Sequence, residues 1–243
     1  MNQLIQPRSG LTTLAILSVM LGAHANDYVV YSPLVVQGQS EVEMRSYADR
    51  DPSPALQNMN ETDLSVAHAW TSWWKAEAYF WKESNTPGSS LHQLGYEFEN
   101  TFQLAEEGNF WATPGFLVSY EASGRAGVPD NLELGPLLER QDGLFTQRMN
   151  MIWEHEIHPQ FTAKPGFRTT YSVSYRYSDP WQPALEAYLR PTDSSYQLGP
   201  ALYGEIHLGH QGGEMEYQVG WLLGTNRSAP DTTWVARLEY EFF

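Results

Sequence analysis

The chain has no cysteine among its 243 residues, so it folds without disulfides. It also has little charge: Asp, Glu, Lys and Arg together make up 18% of the residues, and 29 acidic side chains face only 14 basic ones. A formal net charge of −15 argues against nucleic acid as a partner, because a phosphate backbone attracts basic surfaces. After position 25, every apolar run is soon broken by a charged or amide residue, which argues against an apolar transmembrane helix.

The N-terminal residues follow the pattern of a secretory signal peptide. Arg8 precedes an apolar stretch at 11–21, and Ala-His-Ala at 23–25 supplies small residues at the two positions that a signal peptidase reads. The apolar stretch is about half the ~20 residues that a spanning helix needs, so a membrane anchor is disfavoured. We therefore predict a signal peptide at 1–25 and a mature, exported protein at 26–243.

Most of the mature sequence alternates polar and apolar residues in segments of about ten. In 167–177, Phe, Tyr and Val form one face, and Arg, Thr and Ser form the other. Period two predicts strands with one apolar face, and its repetition, with charges opposite aromatic residues, is typical of a transmembrane β-barrel. The segments are 39–47, 61–70, 73–83, 91–104, 110–122, 131–139, 144–156, 167–177, 184–190, 196–208, 214–223 and 233–243.

These segments predict an all-β fold, a single antiparallel up-and-down transmembrane barrel of about twelve strands in the bacterial outer membrane. Ten strands is the alternative, because 131–139 and 184–190 are short or interrupted. The connections alternate in length, for example 48–60 and then 71–72, as expected of outer loops and periplasmic turns. Tryptophans near the segment ends are typical of an interfacial girdle.

The last strand ends in aromatic residues, with Tyr240, Phe242 and Phe243 after an alternating run. This ending resembles the C-terminal signature of bacterial outer-membrane barrels, displaced by one residue. The resemblance implies that the barrel assembly machinery recognises this strand, with Phe242 or Phe243 read as the terminal aromatic. The tail from 199–204 onward also resembles poorly characterised outer-membrane channel and transporter proteins, and that likeness implies no catalytic residues.

Placing the aromatic faces toward lipid puts the charged faces in the lumen. Such a wall has two interpretations: a water-filled pore with cation preference, because rings of one charge set ion selectivity, or a narrow lumen plugged by pairing Glu with Arg. Small solutes or ions are the expected cargo, and no cofactor is expected. The predicted lumen-lining residues are Glu43, Arg45, Glu77, Glu97, Glu99, Arg148, Glu154, Arg168, Arg176, Glu216, Arg237 and Glu239.

Alternative functions stay open at this point. An outer-membrane enzyme acting on lipid or lipid A would need a serine and a histidine on neighbouring strands, and Ser65 and Ser119 cannot be paired with a histidine from the sequence. A plugged structural or adhesion barrel is the other alternative. Outer-membrane lipids and lipopolysaccharide are expected partners of any of these. No metal site is predicted; the weak candidates are His155, His158, His207 and His210.

Overall fold

The computed structural model describes residues 28–52, 60–85, 92–93, 95–123, 129–157, 165–208 and 213–243. Alternating side chains build its strands, because successive residues of a strand point to opposite faces of a sheet. Where burial is described, one face of the strands is mostly apolar and at least partly exposed, and the other is mostly polar and buried. In the described part of the chain, no helix is long and apolar enough to cross a membrane.

All strands belong to one antiparallel sheet. They are β1 (Ser40–Arg50), β2 (Asn60–Thr71), β3 (Trp74–Asn85), β4 (His92–Gln93), β5 (Gly95–Gln103), β6 (Thr113–Ser123), β7 (Asp130–Asp142), β8 (Phe145–Ile157), β9 (Gly166–Tyr175), β10 (Gln182–Arg190), β11 (Ser195–Leu208), β12 (Gly213–Gly224) and β13 (Thr232–Phe242). Consecutive strands pair with each other, except that β5 pairs with β3 and β6 and not with β4. β1 also pairs with β13, from Ser40 opposite Phe242 to Arg50 opposite Thr232.

The two pieces β4 and β5 form one wall strand. Both pair with β3 in the same register, with Ser84 opposite His92 and Tyr79 opposite Glu97. The wall therefore has twelve strands in the described residues, and it closes because β1 joins the last strand to the first. The predicted twelve-stranded up-and-down barrel is confirmed, and the two segments that favoured a count of ten, 131–139 and 184–190, both form strands.

The barrel has two ends, which we name by their connections. The loop end carries the connections after β1, β3, β6, β8, β10 and β12, and the turn end carries those after β2, β5, β7, β9 and β11. Most turn-end connections are short. Gly143 and Leu144 join β7 to β8, and the φ of 63° at Gly143 suits the first central position of a type II′ hairpin turn.

Aromatic residues form a belt on the outer face near each end. Near the loop end, the Trp221 and Trp234 rings stack with centroids 5.6 Å apart, while near the turn end the rings of Phe145 and Tyr175 lie 5.2 Å apart. The exposed Phe145 and the exposed Trp153 lie eight positions apart in β8. That spacing is about 27 Å along a strand, or about 20 Å across a bilayer at a strand tilt of about 40°. The height is close to the apolar band of outer-membrane barrels.

Residues 28–39 precede β1 and run inside the barrel. Tyr28 lies near the loop end, where its hydroxyl group donates to Asp49 at 3.2 Å. The backbone of Gly38 reaches the turn end, where its N–H donates to the carbonyl of Ala69 at 2.9 Å. The sequence pattern predicts no strand in this stretch, which we call the N-terminal segment.

Candidate functional site

The lumen contains most of the charged residues that the sequence placed there. Seven of the twelve are buried, Glu43, Arg45, Glu77, Glu97, Glu99, Arg168 and Glu239, and four are partly buried, Arg148, Glu154, Glu216 and Arg237. Arg176 was expected on the lumen face of a strand, and the structure places it elsewhere. Strand β9 ends at Tyr175, so Arg176 lies in the turn beyond it, where it is exposed at the rim of a cavity.

Two arginines connect the carboxylates on one side of the lumen. Glu43 forms ion pairs with both Arg45 and Arg237, and Arg237 also pairs with Glu239. The Arg45 guanidinium reaches Glu99 at 3.6 Å and lies over the Tyr31 ring, 5.5 Å from its centroid. Because Tyr31 belongs to the N-terminal segment, this network joins the wall to the chain inside it.

A second network lies on the opposite side, toward the loop end. Arg168 is fully buried and pairs with Glu133 at 2.8 Å and with Glu154 at 3.4 Å. Arg190 adds a contact to Glu154 at 3.0 Å. Glu and Arg thus pair across strands β7 to β10, as in the plugged interpretation of the charged wall.

Three predicted lumen residues, Arg148, Glu97 and Glu216, lie outside these two networks. Arg148 pairs with Glu139 at 2.8 Å, and Glu97 accepts a hydrogen bond from Ser119 at 2.5 Å. Glu216 is partly buried and borders both of the cavities described below. Glu216 interacts electrostatically with the guanidinium groups of Arg237 and Arg148.

The N-terminal segment is held mainly by side chains of the wall. The Asn150 carboxamide accepts a hydrogen bond from the Tyr31 N–H at 2.8 Å and donates one to the Tyr31 carbonyl at 3.0 Å. The Val35 N–H donates to the Gln103 carboxamide oxygen at 2.8 Å, and the Ser32 hydroxyl group donates to Glu139 at 2.7 Å. Because an amide side chain offers both a donor and an acceptor, it can replace a backbone partner.

Apolar side chains fill the lumen on both sides of this segment. Val29 and Tyr31 pack against one group of inward residues, and Val30 packs against another on the opposite side. The first group is Leu117, Leu137 and Ile152; the second is Tyr47, Tyr188, Leu222 and Val235. We call these seven wall residues together with Val29, Val30 and Tyr31 the apolar layer. It lies in the loop-end half of the lumen.

Among the described residues, two cavities lie in the turn-end half of the lumen. The first has a volume of about 190 Å³ and is bordered by Gln182 and Tyr203; the second, of about 200 Å³, is bordered by Lys75 and Glu99. Each would hold about six waters at the liquid volume of about 30 Å³ per molecule. Leu34 of the N-terminal segment borders both, so the segment divides the space between them.

The apolar residues inside the lumen were not predicted from the sequence. The lumen faces of β6, β7 and β8 carry Leu117, Leu137 and Ile152, all with no exposed surface. Apolar residues on an otherwise polar face were a detectable signal that something apolar covers them. The run Val-Val-Tyr at 29–31 was another, because it precedes the first strand and lacks that strand's alternation.

The structure gives little support to the catalytic and metal alternatives. Ser65 and Ser119 donate to Glu77 and Glu97, and neither contacts a histidine. A serine–histidine contact that was not expected joins Ser40 Oγ to His68 Nδ1 at 2.9 Å, on the outer face at the turn end. In the described residues, His68 otherwise makes an edge contact with Trp70, and no carboxylate orients its ring as a hydrolase would require.

The histidines weighed as metal ligands do not come together in the described part of the chain. His155 is exposed on the outer face near the loop end, while His207, near the turn end, lies 3.5 Å from Glu214. His158 and His210 lie outside the described residues. Three carboxylates, those of Glu41, Glu239 and Glu241, do approach one another at the turn end, but Lys75, Arg237 and Gln39 respectively already bind them.

Comparison with known proteins shows the same architecture. No protein-family model and no curated protein matches the chain. Among solved structures, an outer-membrane channel from Pseudomonas putida F1 is similar with a TM-score of 0.58 and 10% identity, over 90% of this chain and 99% of that one. The NanC porin is similar with a TM-score of 0.54 and 11% identity, over 83% and 99% of the two chains.

A third similar structure is the translocator domain of the autotransporter NalP from Neisseria meningitidis. Its TM-score is 0.52 at 10% identity, over 86% of this chain and 88% of that domain. All three are outer-membrane barrels, and at these identities the likeness concerns the fold. The chain therefore has the fold of the bacterial outer-membrane β-barrels, and the class predicted from the sequence is confirmed.

Proposed function

We propose that this protein is an outer-membrane channel for small solutes and that the channel favours cations. The N-terminal segment closes this channel. The observation that carries the proposal is the charge of the lumen. In the described residues, thirteen acidic side chains are buried and two basic ones, Arg45 and Arg168, while four further bases are partly buried: Lys75, Arg148, Arg190 and Arg237. Rings of one charge favour ions of the opposite sign in a narrow pore.

The second cavity supports the cation preference most directly. Seven carboxylates and four basic groups border it, so its wall stays acidic after each base has paired with one acid. The first cavity has three acidic and three basic residues on its wall and is balanced. A cation that crosses the turn-end half of the lumen would therefore follow the second cavity.

Channel conductance tests this proposal. Full-length mature protein and a variant lacking residues 28–36 would be reconstituted in planar bilayers under a tenfold KCl gradient. The shortened barrel is expected to conduct more than the full-length one, with a reversal potential of the sign that K⁺ preference gives. A folded, shortened barrel that shows no conductance, or one that prefers Cl⁻, would overturn the proposal and favour a plugged structural barrel.

A matched pair of variants tests the role of the lumen carboxylates. Glu216→Gln removes a charge that borders both cavities, whereas Glu106→Gln removes one from an exposed turn between β5 and β6. In the shortened barrel, Glu216→Gln is expected to move the reversal potential toward zero and Glu106→Gln to leave it unchanged. Equal effects of the two variants would contradict a role for the lumen wall in selectivity.

We also propose that the two aromatic belts face the outer-membrane lipids and that the loop end faces the lipopolysaccharide leaflet. Exposed apolar residues on the strands between the belts, such as Val66, Phe98 and Val219, support the lipid contact. Longer connections gather at the loop end, which is the extracellular side in barrels of this class.

A further inference from the structure

The N-terminal segment has the contacts of an extended peptide in a binding site. Val29 and Tyr31 point to one side of the lumen and Val30 points to the other. This alternation is the geometry of an extended chain, in which successive side chains point in opposite directions. Val29 and Tyr31 are buried against one apolar group of the wall, and Val30 is buried against the other.

The wall recognises the backbone of the segment through side chains. Asn150 binds both the N–H and the carbonyl of Tyr31, and Thr170 holds Asn150 in place with a hydrogen bond of 2.8 Å to the same carboxamide oxygen. Gln103 binds the Val35 N–H in the same manner, and its own amide group donates to the carbonyl of Ala105 at 2.9 Å. Two amide side chains that are fixed by other residues thus bind the backbone at positions four residues apart.

The segment is not a strand of the barrel. In the described residues, its backbone bonds to wall backbone lie at the turn end, between Gly38 or Gln39 and Ala69. From Tyr28 to Val35 it is held by side chains and by apolar packing. It can therefore leave without breaking any ladder of the wall, and it is tethered at the turn end because β1 begins there at Ser40.

We propose that the lumen is a binding site for an extended peptide with adjacent apolar side chains. In the structure the N-terminal segment of the same chain occupies this site. Once the segment has withdrawn through the turn end, the site can bind the same peptide as a separate molecule. Withdrawal uncovers Leu117, Leu137, Ile152 and Leu222, which have no exposed surface while the segment is present. The bound state is favoured for this reason, because water would otherwise meet that apolar surface. A ligand that covers it stabilises the vacated site.

The proposal deepens the proposed channel function, but peptide binding can be measured without any conductance. The test uses the mature barrel lacking residues 28–36 and a fluorescent synthetic peptide of residues 26–39, with binding followed by anisotropy in detergent. The shortened barrel is expected to bind the peptide, and the full-length barrel to bind it at least tenfold more weakly because its site is occupied. Equal binding by both barrels, or none by a folded shortened barrel, would overturn the inference.

Specificity is tested on both partners. Asn150→Leu in the shortened barrel removes both hydrogen bonds to Tyr31 at similar volume and is expected to weaken binding tenfold or more. Asn131→Leu is the matched control, since Asn131 is also a buried lumen amide but donates to Glu133. A peptide with an N-methyl group on Tyr31 loses one of the same bonds without any change in the barrel, which keeps the test decisive if Asn150→Leu does not fold. Unchanged affinity for that peptide would contradict the assigned backbone contact.

The two proposals can fail separately. If the shortened barrel binds the peptide but never conducts, the peptide site stands and the channel function is wrong. If it conducts but does not bind the peptide, the channel stands and the site is wrong. If both stand, adding the peptide to the conducting shortened barrel is expected to block its current, and a current unaffected at saturating peptide would place the peptide outside the lumen and overturn the inference.

Discussion

Buried polar residues of the lumen differ in what they contact. Arg168 has 0% exposure and joins Glu133 and Glu154 within the wall, whereas Asn150, equally buried, faces the N-terminal segment. The sequence predicted that Arg168 faces inward, because it lies on the polar side of a clear alternation. It did not predict the role of Asn150, because no local pattern distinguishes an amide that binds backbone from one that faces water.

Replacing Arg168 tests the strength of the buried network. Arg168→Met leaves Glu133 buried without its guanidinium partner and is expected to lower the free energy of unfolding by about 3–5 kcal/mol. Arg176→Met is the control, because Arg176 is exposed in a turn, and it should change stability by less than about 0.5 kcal/mol. Urea unfolding of the refolded barrel in lipid vesicles gives both values, and similar effects of the two substitutions would rule out the network as a main contributor.

The terminal aromatic residues allow a second test at this scale. Tyr240 and Phe242 stack on the outer face of β13 with ring centroids 5.6 Å apart, and Phe243 follows the end of that strand. We expect deletion of Phe243 to preserve outer-membrane levels, because Tyr240 and Phe242 then occupy the third-last and last positions. Phe242→Ala should reduce those levels, measured by immunoblot of membrane fractions. The reverse order of effects would identify Phe243 as the residue that the assembly machinery reads.

At the scale of elements, the strands were predictable and the N-terminal segment was not. Alternation is a local property, so β9 and β13 could be read from their own residues with end points accurate to two residues. The segment has no regular secondary structure from Tyr28 to Val36, and its conformation depends on wall residues far away in the chain. The contact between Tyr31 and Asn150 joins positions 119 residues apart.

A glycine in β6 allows a test of the contact between the wall and the N-terminal segment. A Cβ atom at Gly115 would lie 2.5 Å from Cβ of Pro33, so Gly115→Ala is expected to displace the segment. With no native cysteine, a single Val30→Cys can report on this. Val30 is 4% exposed, and labelling of Cys at position 30 by a thiol reagent should become severalfold faster in Gly115→Ala.

Gly220→Ala is the control for that experiment. Its Cβ atom would first meet the Glu186 carboxylate, at 3.3 Å, and not the N-terminal segment. Labelling should therefore stay at the rate of the unmodified barrel. Equal acceleration in both variants would indicate general loosening of the wall instead of displacement of the segment.

At the scale of the whole molecule, the sheet closes on itself through the pairing of β1 with β13. Every wall strand has two neighbours, so backbone groups are paired without an exposed edge. We expect the purified mature protein to be rich in β structure by circular dichroism and to migrate faster on SDS gels before boiling than after it. A helical spectrum, or identical migration of boiled and unboiled samples, would contradict a stable closed barrel.

The sequence by itself determined the strands and the face that each turns to lipid, because those follow from a period of two along the chain and from the side chains at each step. It narrowed the number of strands to twelve or ten. It also determined that the lumen is charged. Only the tertiary structure decided which of those charged residues pair with one another and what else fills the lumen. Whether Glu43 meets Arg45 and Arg237, and whether Val29 to Tyr31 fill the space between Leu117 and Leu222, depends on strand register and on packing across the barrel, and neither is encoded in any one segment.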